Sequence, residues 1–132
     1  MILVDSNVLM DVLSNDISWA EWSLAHLTRY SEEGPLLINE AIYAELSARV
    51  NSVDDVARAM FDLKVSLVRT PEPALFLAGK VYGRYRSAGG VRTGVLPDFF
   101  IGAHASGLGI PILTRDTRRY RSYFPDVELI TP

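Results

Sequence analysis

Five short apolar-rich runs recur along this chain: Ile2-Leu3-Val4, Leu36-Leu37-Ile38, Val65 to Val68, Ile110 to Leu113 and Val127 to Ile130. The first two are unbroken, as expected of strands covered on both faces. Segments of helical character lie between the runs, at 7–13, 18–31, 39–49, 53–63, 73–86 and 97–107, with a short helical piece inside 114–123. Gly34-Pro35 makes a turn, and Pro97 suits the first turn of a helix that follows the Gly-rich loop 87–96. Strands that alternate with helices predict an α/β, three-layer fold, with a mostly parallel central sheet of about five strands flanked by helices. With 132 residues, no internal repeat and no linker, the chain is expected to form one domain over 1–132.

Composition excludes several classes. No apolar run is long enough to cross a bilayer, so no membrane partner is expected. Asp5 and Asp11 interrupt the first apolar residues and no basic segment precedes them, which argues against a signal peptide. The absence of cysteine removes disulfides, thiolate metal sites and thiol nucleophiles, and the expected compartment is cytoplasmic. A net charge of -3 argues against a bulk electrostatic grip on nucleic acid. Yet seven of the thirteen basic residues fall between Arg84 and Arg121, and eleven of the thirteen are arginine. Arginine holds phosphate or carboxylate bidentately, although composition alone favours a solvated surface.

In open α/β sheets, ligands bind beyond the carboxyl ends of the strands. Asp5 follows the first strand and Asp116 the fourth, while Asp98 starts the helix that leads to that fourth strand. Each has a plain alternative as a helix cap or as a charge that complements a helix dipole. Glu45 is more telling. At 100° per residue it falls between Ala41 and Ile42, inside the arc marked by Ile38, Ile42 and Leu46. A carboxylate facing a core is costly unless paired or bound to a cation. Its two candidate partners are Arg49, one turn on, and a metal. Glu40, on the opposite side, reads as solvated. Asp98 shares its face with Ile101, Gly102 and Ala105, whose small members would let that helix approach the sheet.

Four converging carboxylates raise one another's pKa, and a hard divalent cation relieves the repulsion. Oxygen-only ligation suits Mg²⁺ or Mn²⁺, which activates water for phosphodiester cleavage. His26 and His104 stand isolated and read as surface or core-edge residues.

These residues resemble the motifs of PIN-domain proteins. The likeness lies in Asp5-Ser6-Asn7-Val8-Leu9, in Tyr43-Ala44-Glu45-Leu46, in Leu96-Pro97-Asp98-Phe99-Phe100-Ile101-Gly102-Ala103, and in Leu113-Thr114-Arg115-Asp116. Their order and spacing look like those of VapC-type toxins of toxin–antitoxin pairs, over nearly the whole chain. The resemblance implies an endoribonuclease dependent on Mg²⁺ or Mn²⁺, with Asp5, Glu45, Asp98 and Asp116 as both catalytic and metal-binding acids and a flavodoxin-like arrangement. Ser6, Asn7 and Thr114 would hold those carboxylates. The implied partners are an RNA substrate, a cognate antitoxin and a second copy of the chain in a homodimer. Toxin–antitoxin hetero-oligomers would then reach operator DNA only through the antitoxin. One departure is that Arg118 and Arg119 stand where many relatives have a further acid.

Support for RNA within the residues themselves comes from Arg92, Arg115, Arg118 and Tyr120, which mix cations and an aromatic ring beside the acids. The Gly-rich loop lacks a Gly-Lys-Ser/Thr ending and is no P-loop. Trp19 and Trp22 suit core packing or an antitoxin groove. Two rival functions remain. A receiver-like phosphotransfer domain needs a phosphoacceptor Asp after strand three, where Thr70-Pro71 stands. A non-catalytic PIN-like module would bind RNA or protein without cutting.

Overall fold

A computed structural model of the chain describes residues 1–90 and 96–132. Arg92 therefore lies outside the described residues. Strand β1 (Ile2–Val4) leads into α1 (Ser6–Leu13) and α2 (Ala20–Glu33). Then come β2 (Leu36–Ile38), α3 (Glu40–Ser47), α4 (Val53–Leu63) and β3 (Val65–Leu67). The second half carries α5 (Glu72–Ser87), α6 (Leu96–Leu108), β4 (Ile112–Leu113), α7 (Arg118–Tyr123) and β5 (Leu129–Ile130).

Local chemistry sets the helix starts. Asp5, Asn39 and Ser52 each cap the helix that follows, accepting from Ser6 N, Ile42 N and Asp55 N. Asp16 delays α2: its carboxylate accepts from the amides of Ser18 and Trp19, both at 2.9 Å, so the helix begins at Ala20 rather than at 18. Pro73 sits in the first turn of α5, where its missing N–H costs nothing.

The five strands form one parallel sheet in the order β3-β2-β1-β4-β5, as the strand–helix alternation predicts. Leu3 is the hinge of the register, paired with Leu37 on one side and Ile112 on the other. After β1 the chain builds outward through β2 and β3, then returns to add β4 and β5 on the other edge. Its direction thus reverses between β1 and β4, and a crevice opens beyond their carboxyl ends. Asp5 and Thr114 are the first residues past those two ends.

The core is continuous from β1, β2 and β4 to the inner faces of the flanking helices, with Leu3, Ile38, Ile42, Phe99, Ile101 and Ile112 buried. Two features fix the helices that carry the acids. Phe99 of α6 packs against Tyr82, Tyr85, Tyr123 and Phe124. Gly102 is small for a different reason from the one its spacing suggests: a Cβ there would stand 2.2 Å from the Phe124 ring. The close approach is to the residue that ends α7, so Gly102 draws α7 onto α6.

His104 is a second departure from the sequence reading, being 1% exposed and therefore a core residue. Its Nδ1 lies 3.2 Å from Asn39 Nδ2 and 3.4 Å from Thr70 Oγ1. Asn39 Oδ1 already accepts from Ile42 N, so Nδ2 must donate to the imidazole, which then carries its proton on Nε2. Burial pushes the His104 pKa down, against the charge of Glu40. Glu40 is not merely solvated either. Its Oε1 accepts from Thr70 N at 2.7 Å and from Thr70 Oγ1 at 3.0 Å. This network joins α3, which bears Glu45, to α6, which bears Asp98.

Candidate functional site

Asp5 leaves β1 with extended backbone and is 4% exposed. It is both a helix cap and a member of the site. Its Oδ1 accepts from Ser6 N at 2.8 Å. Its Oδ2 accepts from Thr114 Oγ1 at 2.8 Å, from Tyr120 Oη at 2.9 Å and, more loosely, from Asn7 Nδ2 at 3.4 Å. Burial raises its pKa, hydrogen bonds from Thr114, Tyr120 and Ser6 oppose that rise, and the charge of Asp116 adds to it.

The Thr114 hydroxyl donates to Asp5 and accepts from Asn7 Nδ2 at 3.2 Å and from Asp116 N at 3.0 Å. Asn7 Oδ1 in turn accepts from Arg115 N at 3.1 Å. Ser6, Asn7 and Thr114 thus surround Asp5 and bind the loop after β4 to the start of α1.

The other three acids lie near enough to Asp5 or to one another to interact through their charges. Glu45 is half-buried, and its Oε1 is buried without a hydrogen-bond partner. Burial raises its pKa first and the charge of Asp5 second, with the Ser6 hydroxyl opposing them. Arg49, the expected helix partner, is exposed and forms no ion pair with it among the described residues. Asp98, in the first turn of α6, has its pKa pushed up to about 7. Burial is the main cause, Asp5, Asp116 and Glu45 add to it, and Arg119 opposes them. Asp116 is the most open, with Oδ1 accepting from Arg118 N at 3.3 Å. Open space flanks this group: a groove of about 410 Å³ runs beside Ser6, Asn7, Glu45 and Arg49, and one of about 460 Å³ beside Asn7, Asp116 and Arg118.

The basic residues sort differently from the sequence expectation. Arg115 is not free to meet a phosphate. Its Nε and Nη2 hold Asp11 at 2.6 and 2.7 Å, and its guanidinium lies 4.9 Å from the centre of the Trp19 ring. Asp11 is buried and also accepts from Ser23 Oγ at 2.7 Å. Tyr120 is 2% exposed, so its ring is closed to a base and its role is the hydrogen bond to Asp5. Burial and the charges of Asp5 and Asp98 push its phenol pKa well up, so that it stays a donor. Arg118 remains exposed at the rim, 3.9 Å from Asp116. Arg119 had drawn no role, yet its Nη1 lies 3.6 Å from Asp98 Oδ2 and its Nε is buried without a partner. Asp11 was also missed: at 100° per residue it falls between Asn7 and Asn15, with Val8 and Val12 on one side only, so the test that singled out Glu45 did not mark it.

The donor set bears on a metal. Among the described residues, no group of three or more His, Asp or Glu stands positioned to hold an ion. The unpartnered Glu45 Oε1 and the raised pKa of Asp98 nonetheless fit a cation that one or two carboxylates bind while water completes its shell, the habit of Mg²⁺.

Residues 2–125 match the model of the PIN domain. The chain belongs to the PIN-domain family. The solved structures similar to this PIN domain share its fold at low identity. One is VapBC2 from Rickettsia felis, bound to a DNA fragment from its promoter, with 14% identity and a TM-score of 0.75 over 100% of this chain and 99% of that one. VapBC-1 from nontypeable Haemophilus influenzae has 20% identity and a TM-score of 0.71 over 99% and 98%. FitAcB from Neisseria gonorrhoeae has 21% identity and a TM-score of 0.68 over 98% and 96%. No curated protein matches the sequence. Among the described residues, no helix of this PIN domain is long and apolar enough to cross a membrane.

Proposed function

We propose that this PIN domain is a Mg²⁺- or Mn²⁺-dependent endoribonuclease and the VapC-type toxin of a type II toxin–antitoxin pair. The observation that carries the reading is mutual charge. Asp98 feels Asp5, Asp116 and Glu45; Glu45 feels Asp5; and Asp5 feels Asp116, which supports a shared acidic site beyond β1 and β4. Asp5, Asp98 and Glu45 would hold the ion, with Asp116 completing the site at its open edge. When bound, the cation acts as a Lewis acid and makes water a nucleophile at neutral pH.

The chain's own residues prepare that chemistry. Thr114 and Tyr120 occupy Asp5 Oδ2, which leaves Oδ1, with one amide donor, as the oxygen with lone-pair capacity to spare. The Ser6 amide donates to Asp5, and its hydroxyl favours the charged form of Glu45. Asp116, half-exposed beside the open groove, would take a proton from water entering there. Arg118 lies at that entrance and can meet a substrate phosphate.

The partners follow from the same reading: an RNA substrate, a cognate antitoxin, a homodimer and toxin–antitoxin hetero-oligomers that meet operator DNA through the antitoxin. The similar VapBC2 structure, with its promoter fragment, supports that last element. The reading also places the chain in the cytoplasm as a single domain.

The Arg119–Asp98 pair favours a second reading, a PIN-like module that binds RNA without cutting it, because a resident cation there substitutes for a metal. One experiment separates the two. The purified chain is incubated with total cellular RNA in Mn²⁺, with and without EDTA, beside Asp5→Asn and Asp98→Asn. Cleavage that stops on chelation and in both variants supports the nuclease. Binding without cleavage selects the second reading, and cleavage unchanged in EDTA overturns the metal.

A further inference from the structure

We propose that Arg119 is the ligand for the scissile phosphate of RNA, held on Asp98 until a cation takes over that carboxylate. The proposal rests on the nuclease reading above and names the residue that engages the substrate's charge.

Arg119 differs from the other arginines near the crevice. Arg115 is spent on Asp11, and Arg118 is 88% exposed. Arg119 is only one-third exposed, yet its contacts are loose. The Nη1–Asp98 Oδ2 distance of 3.6 Å is an ion pair beyond hydrogen-bond range. Nε is buried with no acceptor. Its guanidinium lies 6.0 Å from the centre of the Tyr85 ring, the edge of cation–π range. A buried charged donor without a partner is costly, so an acceptor that enters here improves the site.

The backbone keeps Arg119 in place. Its neighbour Tyr120 is hydrogen-bonded to Asp5, and Phe124, which closes α7, packs against Gly102 of α6. The root of the Arg119 side chain is therefore held beside the acids, while the guanidinium at its end stays under-used. A phosphodiester supplies one negative charge and two non-bridging oxygens, which a planar guanidinium holds bidentately.

Charge balance gives the sequence of events. Without a cation, Arg119 offsets part of the repulsion around Asp98. With Asp98 engaged by a cation, Arg119 would lose the attraction that keeps it there. RNA then offers Arg119 a replacement anion next to the acids. Asp98 exchanges one cation for another, and Arg119 exchanges one anion for another, so neither is left unpaired. Binding of metal and substrate is thereby coupled through one side chain.

The test uses Arg119→Gln and Arg119→Lys in the full chain, with folding checked by circular dichroism and thermal melting. Mn²⁺ affinity is measured without RNA by calorimetry. Affinity for labelled total cellular RNA is measured by filter binding in Ca²⁺ across a salt series. Arg119→Gln is expected to weaken RNA binding between about 10- and 100-fold and to flatten the salt dependence by about one contact. Mn²⁺ affinity should stay the same or tighten, because a competitor for Asp98 is gone. Arg119→Lys should restore the salt dependence and only part of the affinity. Unchanged RNA affinity in Arg119→Gln overturns the proposal. So does weakened Mn²⁺ binding, since it would mean that the arginine only supports the fold of the acids. A wild-type chain that neither binds Mn²⁺ nor cuts RNA defeats the nuclease reading itself, whereas one that cuts while Arg119→Gln matches it defeats only the role of Arg119.

Discussion

Tyr120 and Asp5 stand 115 positions apart in sequence and share a buried hydrogen bond of 2.9 Å, with the phenol as donor. The bond links the first acid of the chain to the last helix, and it assigns the two oxygens of Asp5 different tasks. Oδ2 is filled by hydroxyls, and Oδ1 keeps room for a further ligand.

Tyr120→Phe keeps the ring and removes that donor. Thr114 still serves Oδ2, so the fold should survive with a loss of about 1.5–3 kcal/mol, the range for a hydrogen bond to a charged group. Mn²⁺ affinity should fall, because the carboxylate loses one of the donors that fix its orientation. Urea unfolding and calorimetry read the two effects separately. A variant as stable and as tight for Mn²⁺ as the parent would remove Tyr120 from the site.

Asp98 makes stability depend on pH in an unusual direction. Burial and the neighbouring carboxylates push its folded pKa up to about 7, against an ordinary value of 3.8. Between those values the folded chain keeps a proton that the unfolded chain has released. Stability from this group is therefore greatest at low pH and declines as pH rises through that window. His104 works the other way: its lowered pKa means that acid favours the unfolded chain. Asp98→Asn isolates the first effect. The stability gain of the variant over the parent should grow from pH 5 to pH 8 in metal-free buffer and shrink when Mn²⁺ is added at pH 8. A gap that stays constant with pH would contradict the shifted titration.

Backbone periodicity exposed most of this architecture. Ile2-Leu3-Val4 and Leu36-Leu37-Ile38 are apolar throughout and are buried throughout, so strand identity followed from these unbroken runs and parallel pairing from the helices between strands. The position of Glu45 within an apolar arc was also legible, and its oxygen is indeed buried without a partner. What stayed hidden depends on long-range side-chain pairing. Nothing in Arg115-Asp116-Thr117-Arg118-Arg119 marks which guanidinium folds back onto Asp11, which reaches Asp98 and which stays in solvent. Those choices are made by α1 and α6, more than ten residues away in the chain. Likewise the small size of Gly102 was visible, but the ring that requires it was not.

Gly102→Ala tests that contact. A methyl placed 2.2 Å from the Phe124 ring forces the ring or α7 to shift. Overpacking of this kind costs about 1–3 kcal/mol. Because α7 carries Arg119 and Tyr120, activity should fall further than stability explains at temperatures where the variant is fully folded. Pairing it with Phe124→Leu should recover part of both. Failure of that second change to help would place the strain elsewhere.

Arg115→Ala separates a structural arginine from a substrate contact. Asp11 is buried, and its only other side-chain partner among the described residues is Ser23. Removing the guanidinium strands a carboxylate in the core, for which a loss on the order of 3 kcal/mol is expected. The Arg115 amide still donates to Asn7, so the site keeps its backbone frame. RNA binding by the folded fraction should then show the parent's salt dependence, in contrast to Arg119→Gln. Replacing both partners, Asp11→Leu with Arg115→Met, should return most of the stability, because neither charge is left alone. The opposite pattern, with stability intact and a salt slope shallower by about one contact, would show that Arg115 meets phosphate and that its pairing with Asp11 is dispensable.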